Sequence, residues 1–321
     1  MNNFWNDLPK PFTALAPMEG VTDIVFRQMM IRIGRPDVFF TEFTSTSGLM
    51  SKGFDKVSKS LKFKKNELPI VAQIWGLNPK DFYDTAKLCK KMGFSGIDLN
   101  MGCPIYTVIR KGACSALINN RKLAKEIISA TKEGAGGLPV SVKTRVGFDK
   151  EQIDDWIAFL LEQDLPALII HLRTVAELSK VDAHWELMPK IIKLKNEIAL
   201  NTLIVGNGDI KTKQEISEKY NKSGLDGFMI GRGVFYDPWI FNKSFDYKME
   251  TAVMRLNLYL EHIKLFEKIW KDGKNPESLK KFSKMYINNF NGATEFRNEI
   301  NLTKTAPEMI NLINSHLKKI S

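Results

Sequence analysis

The 321-residue sequence is 44% hydrophobic and 26% charged, the balance of a globular chain long enough for one large domain and a smaller one. No apolar run reaches the length of a membrane span, the N-terminal MNNFWNDLPK lacks a signal-peptide core, and Cys89, Cys103 and Cys114 have no metal-ligand spacing. A membrane protein, a disulfide framework and a zinc protein are therefore excluded, and a cytoplasmic protein without metal is expected.

Taken in chain order, β-rich runs at 12–16, 38–42, 70–75, 96–99, 140–143, 168–171, 203–206 and 227–230 alternate with amphipathic segments such as 81–92, 154–162 and 211–222. Strands alternating with helices predict a parallel sheet, and eight strands is the number that closes a TIM (β/α)8 barrel. An open doubly wound sheet fits less well, because no GxGxxG follows the first strand. After about Asn242 the strand signals stop, and 253–270, 277–290, 294–301 and 306–320 read as helices. The expected α/β architecture is thus a barrel over residues 1–242 and an all-α helical domain over 243–321.

Barrel chemistry is built at the C-terminal ends of the strands. Those ends read Ala16-Pro17-Met18-Glu19, Glu42, Gln73, Asn100 with Cys103, Lys143 with Arg145, His171 with Arg173, Asn207-Gly208-Asp209 and Gly231-Arg232. Alternation along PVSVKTR sets Val140 and Val142 on one face and Ser141, Lys143 and Arg145 on the other, so the two cations point inward. Along GIDLN the inward pair is Asp98 and Asn100, and an inward acid must find partners. Lys143 and Asp98 could form no more than an internal ion pair, which stands as the bland alternative.

VGNGDI (205–210) and MIGRG (229–233) are glycine-bearing turns that open helices. Loops after the seventh and eighth barrel strands commonly hold a phosphate, and Arg232 is placed to be its cation. Cys103, fixed between Gly102 and Pro104 at the barrel mouth near Lys143 and Arg145, is a candidate for an easily ionised thiol or a proton donor. Cys89, in a helical pattern, and Cys114, in GACSAL, read as packing.

LAPMEGVTDIVFR (15–27), QIWG (73–76), DLNMGCP (98–104) with KGACSALI (111–118), VSVKTRVGF (140–148), HLRT (171–174), VGNGDI and MIGRGVFYDPWIF (229–241) together resemble the tRNA-dihydrouridine synthases, in the right order along the barrel. KMYINNFNGATEFR (284–297) is similar, more loosely, to that family's helical domain. The resemblance implies an FMN-dependent enzyme that uses NADPH to reduce the C5=C6 bond of particular uridines in tRNA. It implies that Pro17, Met18, Glu19, Gln73, Lys143 and His171 contact the flavin and that Asn207, Gly208, Asp209, Gly231 and Arg232 hold its phosphate end. Hydride would pass to C6 of uracil and Cys103 would be the general acid that protonates C5. Asn100, Arg145 and Arg173 would serve the substrate, with Lys281, Lys284 and Arg297 on the RNA phosphates.

The sequence departs from the family pattern at Glu19, Leu172 and His184, where Ala, Gly and Asp are usual. The net charge of +11 agrees with a polyanionic partner, although a Lys-rich composition would raise it unaided, and residues 244–321 carry 13 Lys+Arg against 9 Asp+Glu, a surplus of only 4. No segment signals an obligate protein partner. The rival readings are a flavin barrel acting on a free pyrimidine, an RNA-binding module without catalysis and, less well matched, a Schiff-base lysine barrel.

Overall fold

The computed structural model describes residues 3–320, so Met1, Asn2 and Ser321 of the expected domains lie outside it. Its described residues divide into two compact units, those up to 24 with 36–231 and 25–35 with those from 232 onward.

The first unit is an α/β barrel. Its strands are β1 (Phe12–Leu15), β2 (Phe39–Phe40), β3 (Thr44–Ser45), β4 (Ile70–Trp75), β5 (Gly96–Met101), β6 (Val140–Arg145), β7 (Ala167–His171), β8 (Leu203–Asn207) and β9 (Gly227–Ile230). All pairings are parallel in the order β1-β9-β8-β7-β6-β5-β4-β2, and the bridge between Ala14 and Val38 joins the two ends of this path, closing the ring. The eight expected strands are present, with two differences. Only Phe39–Phe40 of the run at 38–42 is strand, and the short β3 pairs with β4 off the main path.

The closed ring explains the alternation in the sequence. Phe12, Ala14, Val71, Ala167, Ile169, Leu203, Val205 and Met229 point to one another across the barrel and form its buried core together with Trp5. The same inward parity carries Gln73, Asn100, Lys143, His171 and Asn207 to the C-terminal end. Helices between strands are cut to length by local signals. Pro79–Met92 starts at Asn78, whose side chain accepts from the Lys80 N–H, and ends on Gly93 in the left-handed region. A cavity of about 1010 Å³ lies at the opposite end of the barrel, lined by residues that precede or open strands, such as Lys10, Pro139, Pro166 and Thr202.

The second unit is helical, with Ala252–Trp270, Ala293–Leu302 and Ala306–Ile320 as its long elements. The expected helix at 277–290 is shorter, a 3-10 turn Pro276–Phe282 and an α-turn Ser283–Tyr286. Ile287 leaves helical backbone and Asn289 enters the left-handed region, which ends the segment. The unit boundary also differs from the expected 242/243. Residues 25–35 group with the C-terminal chain, because Phe26 stacks on Phe235 and Phe282, Arg32 pairs with Glu261, and Asn242 Nδ2 donates to the Ile33 carbonyl at 2.9 Å. Among the described residues no helix is long and apolar enough to cross a membrane, and no group of His, Cys, Asp and Glu could hold a metal.

Candidate active site

Register brings Gln73 opposite Asp98, Asp98 opposite Ser141, and Asn100 opposite Lys143. Asp98 is fully buried and accepts from Ser141 Oγ at 2.6 Å and Gln73 Nε2 at 2.8 Å. Gln73 Oε1 accepts from Asn100 Nδ2 at 3.0 Å, and Asn100 Oδ1 accepts the N–H groups of Gly102 and Cys103, each at 3.1 Å. Burial pushes the Asp98 carboxyl up to about 6, opposed by the Ser141 and Gln73 hydrogen bonds and most weakly by the charge of Lys143. Asp98 is thus held by neutral donors, with Lys143 acting on it through space, which disfavours the simple internal ion pair.

Cys103 follows β5 and is 8% exposed. Its carbonyl accepts from Ser115 Oγ at 2.7 Å, tying it to the turn Cys114–Asn119. The Cys103 thiol is lowered to about 7, first by a hydrogen bond from the Cys114 thiol and further by Arg145 and Lys143, with burial opposing. The same bond, with burial, drives the Cys114 thiol well above its ordinary value. Cys89 lies inside the helix Pro79–Met92, where burial pushes its thiol up to about 12. Lys143, half-buried, is lowered to about 8, first by desolvation and then by repulsion from Arg145, with Asp98 and Cys103 pulling the other way.

The two neighbouring arginines face inward but are committed to backbone. Arg145 is 6% exposed and donates to the carbonyls of Gly102 at 2.9 Å, Thr174 at 2.7 Å and Leu178 at 2.9 Å. Arg173 is 2% exposed, donates to the Val181 carbonyl at 2.7 Å, lies 3.4 Å from His171 Nε2 and pairs with Asp209. Both guanidinium groups brace loops at the barrel mouth, where substrate contact is expected of them. Asp209, in the left-handed region, also accepts from the Ala183 N–H at 2.9 Å, so its carboxylate is turned to this brace.

Half-buried His171 stands opposite Arg145 and Asn207. Asn207 Nδ2 donates to the Met229 carbonyl at 2.8 Å, and the Gly208 carbonyl accepts from Trp185 Nε1 at 3.0 Å. Gly208 needs its φ of +136°, and an added Cβ there would meet Ala183 at 2.6 Å. At Gly231 the protein itself does not demand glycine. An added Cβ would stand at ordinary contact, 3.5 Å from Ala16 Cβ and Met18 Sδ, at the end of β9. Arg232, exposed, is the next residue and begins the second unit. At the end of β1, Pro17 and Met18 are half-buried and Glu19 is exposed, while the Gly20 N–H donates to the buried Glu42 carboxylate at 2.6 Å. In the second unit Lys281 and Lys284 are exposed, whereas Arg297 donates to the Ile287 carbonyl at 2.7 Å and Thr294 Oγ1 at 2.8 Å.

Two features were not read from the sequence. Cys114 lowers the Cys103 thiol instead of merely packing, and His184, raised first by its hydrogen bond with Glu177 at 2.8 Å, fastens the loop after β7. The first had no signal in the sequence, since the left-handed backbone of Cys114, at φ +53°, emerges only in the fold.

A closed parallel barrel that gathers a perturbed thiol, a desolvated lysine and amide side chains at the C-terminal ends of its strands has the architecture of a barrel enzyme. Residues 14–321 match the model of the dihydrouridine synthase family. A probable tRNA-dihydrouridine synthase of Staphylococcus aureus (strain COL) is 49% identical over 312 residues, 95% of this chain and 93% of the relative. A probable tRNA-dihydrouridine synthase 2 of Bacillus subtilis (strain 168) is 46% identical over 323 residues, 99% of this chain and 97% of the relative. Among solved structures, the 6-hydroxypseudooxynicotine amine oxidase of Pseudomonas geniculata N1 shares the fold, with TM-score 0.54 at 13% identity over 72% of this chain and 46% of that one. The chain belongs to the dihydrouridine synthase family, and is an oxidoreductase.

Proposed function

We propose that this chain is an FMN-dependent tRNA-dihydrouridine synthase, which reduces the C5=C6 bond of uridines in tRNA at the expense of NADPH. The observation that carries the reading is the Cys103 thiol, lowered to about 7 and braced at the end of β5, in a chain whose relatives are named for this activity. The names of those relatives supply tRNA, and the +11 charge agrees with a polyanion.

Two observations support a flavin mononucleotide at the strand ends. Lys143 presents a desolvated ammonium that an anionic ligand would complement, and at Gly231, after β9, a side chain would not clash with protein, so glycine there suits the close approach of a ligand. In this reading Pro17, Met18, Glu19, Gln73, Lys143 and His171 hold the ring. Asn207, Gly208, Gly231 and Arg232 hold the phosphate end, with Asp209 acting through its brace to Arg173. When bound, the reduced flavin supplies the hydride that saturates C6 of uracil.

The chain's own residues handle the proton and the geometry. Cys103 gives its thiol proton to C5 and is left as thiolate, which Cys114, Arg145 and Lys143 stabilise. A donor titrating near neutrality is well matched to general acid catalysis. Asn100, Arg145 and Arg173 are proposed to meet the substrate while keeping the reacting end of the barrel in shape, and the target base must leave its stack to reach Cys103. Lys281, Lys284 and Arg297 are proposed to meet tRNA phosphates, and the cytoplasm is the proposed location. Cys103→Ala should keep flavin content and tRNA affinity while slowing uridine reduction by roughly 10²–10⁴-fold, the usual worth of a general acid. Dihydrouridine formation, measured by mass spectrometry of digested tRNA, checks this, and near-normal turnover would remove Cys103 from the role.

A further inference from the structure

We propose that Asp98 is a positioning residue for Cys103: through Gln73 and Asn100 it fixes the backbone that carries the thiol. The catalytic meaning of this role rests on the reading of Cys103 as proton donor, but the role itself is stated in hydrogen bonds.

The N–H groups of Gly102 and Cys103 can only donate, so Asn100 must turn its oxygen to them. Its amide nitrogen is then left for an acceptor, which is Gln73 Oε1 at 3.0 Å. Gln73 must in turn present Nε2 away from Asn100, and it meets Asp98 Oδ2 at 2.8 Å. The order that starts at these two N–H groups runs through both amides and must end on an acceptor for Gln73 Nε2, and the Asp98 carboxylate supplies it. Ser141, which can do either, donates to the second carboxylate oxygen at 2.6 Å and settles the carboxylate without setting the direction.

Burial makes the order strict. Asp98, Gln73 and Ser141 are each 0% exposed, so none can exchange a lost partner for bulk water. The strand register that aligns Gln73, Asp98 and Ser141 puts the first half of the chain on rigid elements, and only the last link reaches into the loop. Asp98 is thus coupled to Cys103 without touching it.

Amide hydrogen exchange of the purified full chain tests this, read at Gly102 and Cys103 with no RNA or reductant present. Asp98→Leu removes the acceptor at similar size and should speed exchange at both positions roughly tenfold or more, while the amides of β7 keep their protection. Asp98→Asn can still offer an oxygen to Gln73 and its NH₂ to Ser141 Oγ, and should stay within about threefold of the parent. Gln73→Met breaks the same chain in its middle with Asp98, Ser141 and Lys143 intact, and decides the matter if Asp98→Leu does not fold. Unchanged exchange at Gly102 and Cys103 in the folded Leu or Met variant would overturn the proposal. Loosening by Asp98→Asn equal to that of Asp98→Leu would also overturn it, by showing that charge and not hydrogen-bond order is what counts. A parent protein that reduced no uridine would defeat the functional reading and leave the exchange result standing.

Discussion

Cys114 adopts a backbone conformation, φ +53°, in which glycine is unstrained and a side chain is not. The thiol it carries there donates to Cys103 and is the largest influence drawing Cys103 down to about 7. Cys114→Gly therefore removes the thiol at a position whose backbone conformation suits glycine. Cys103 gives a proton only while it holds one, so uridine reduction should fall as pH rises through about 7, with the Lys143 ammonium lost above about 8. In Cys114→Gly the midpoint for iodoacetamide labelling of Cys103 should move upward, and the alkaline limb of the rate profile should move with it. Peptide-resolved alkylation against pH measures this, and a midpoint that does not move contradicts the assignment.

At the scale of elements, the loops after β5 and β7 are drawn together onto the end of β6 by one guanidinium. Arg145 reaches Gly102, Thr174 and Leu178 at once, a fork that lysine cannot reproduce. Arg145→Lys should lower stability by about 1–3 kcal/mol, from carbonyls left without a buried donor, as read from thermal or denaturant unfolding. A weakened affinity for tRNA with unchanged stability would instead make Arg145 a direct RNA contact. The inward direction of Lys143, Asp98 and Asn100 was legible because a strand has period two and a barrel has one inside. The partners of Arg145 and Arg173 were not, since nothing in VKTR or HLRT tells which distant carbonyl will come within reach. The early end of the strand at Phe40 and the break after Tyr286 were not foreseen, because the backbone turns inside a stretch that reads as one element.

For the whole molecule, strand count and alternation were enough to foresee the barrel, because eight parallel strands with helical crossovers have few other ways to bury both faces of a sheet. The grouping of residues 25–35 with the C-terminal helices was not foreseeable. Their apolar pattern is that of any barrel helix, and only packing against Phe235, Glu261 and Phe282 reveals the allegiance. The central claim is that this barrel passes electrons to uracil within tRNA. The measurement that meets it most directly is anaerobic: load the full-length protein with FMN, bleach the flavin absorbance with NADPH, and add unmodified tRNA. The account predicts that the oxidised spectrum returns with tRNA and not with free uracil or orotate, and that dihydrouridine appears in the RNA. A reduced flavin that ignores tRNA and is reoxidised by a free pyrimidine, or a protein that binds no flavin, would contradict it.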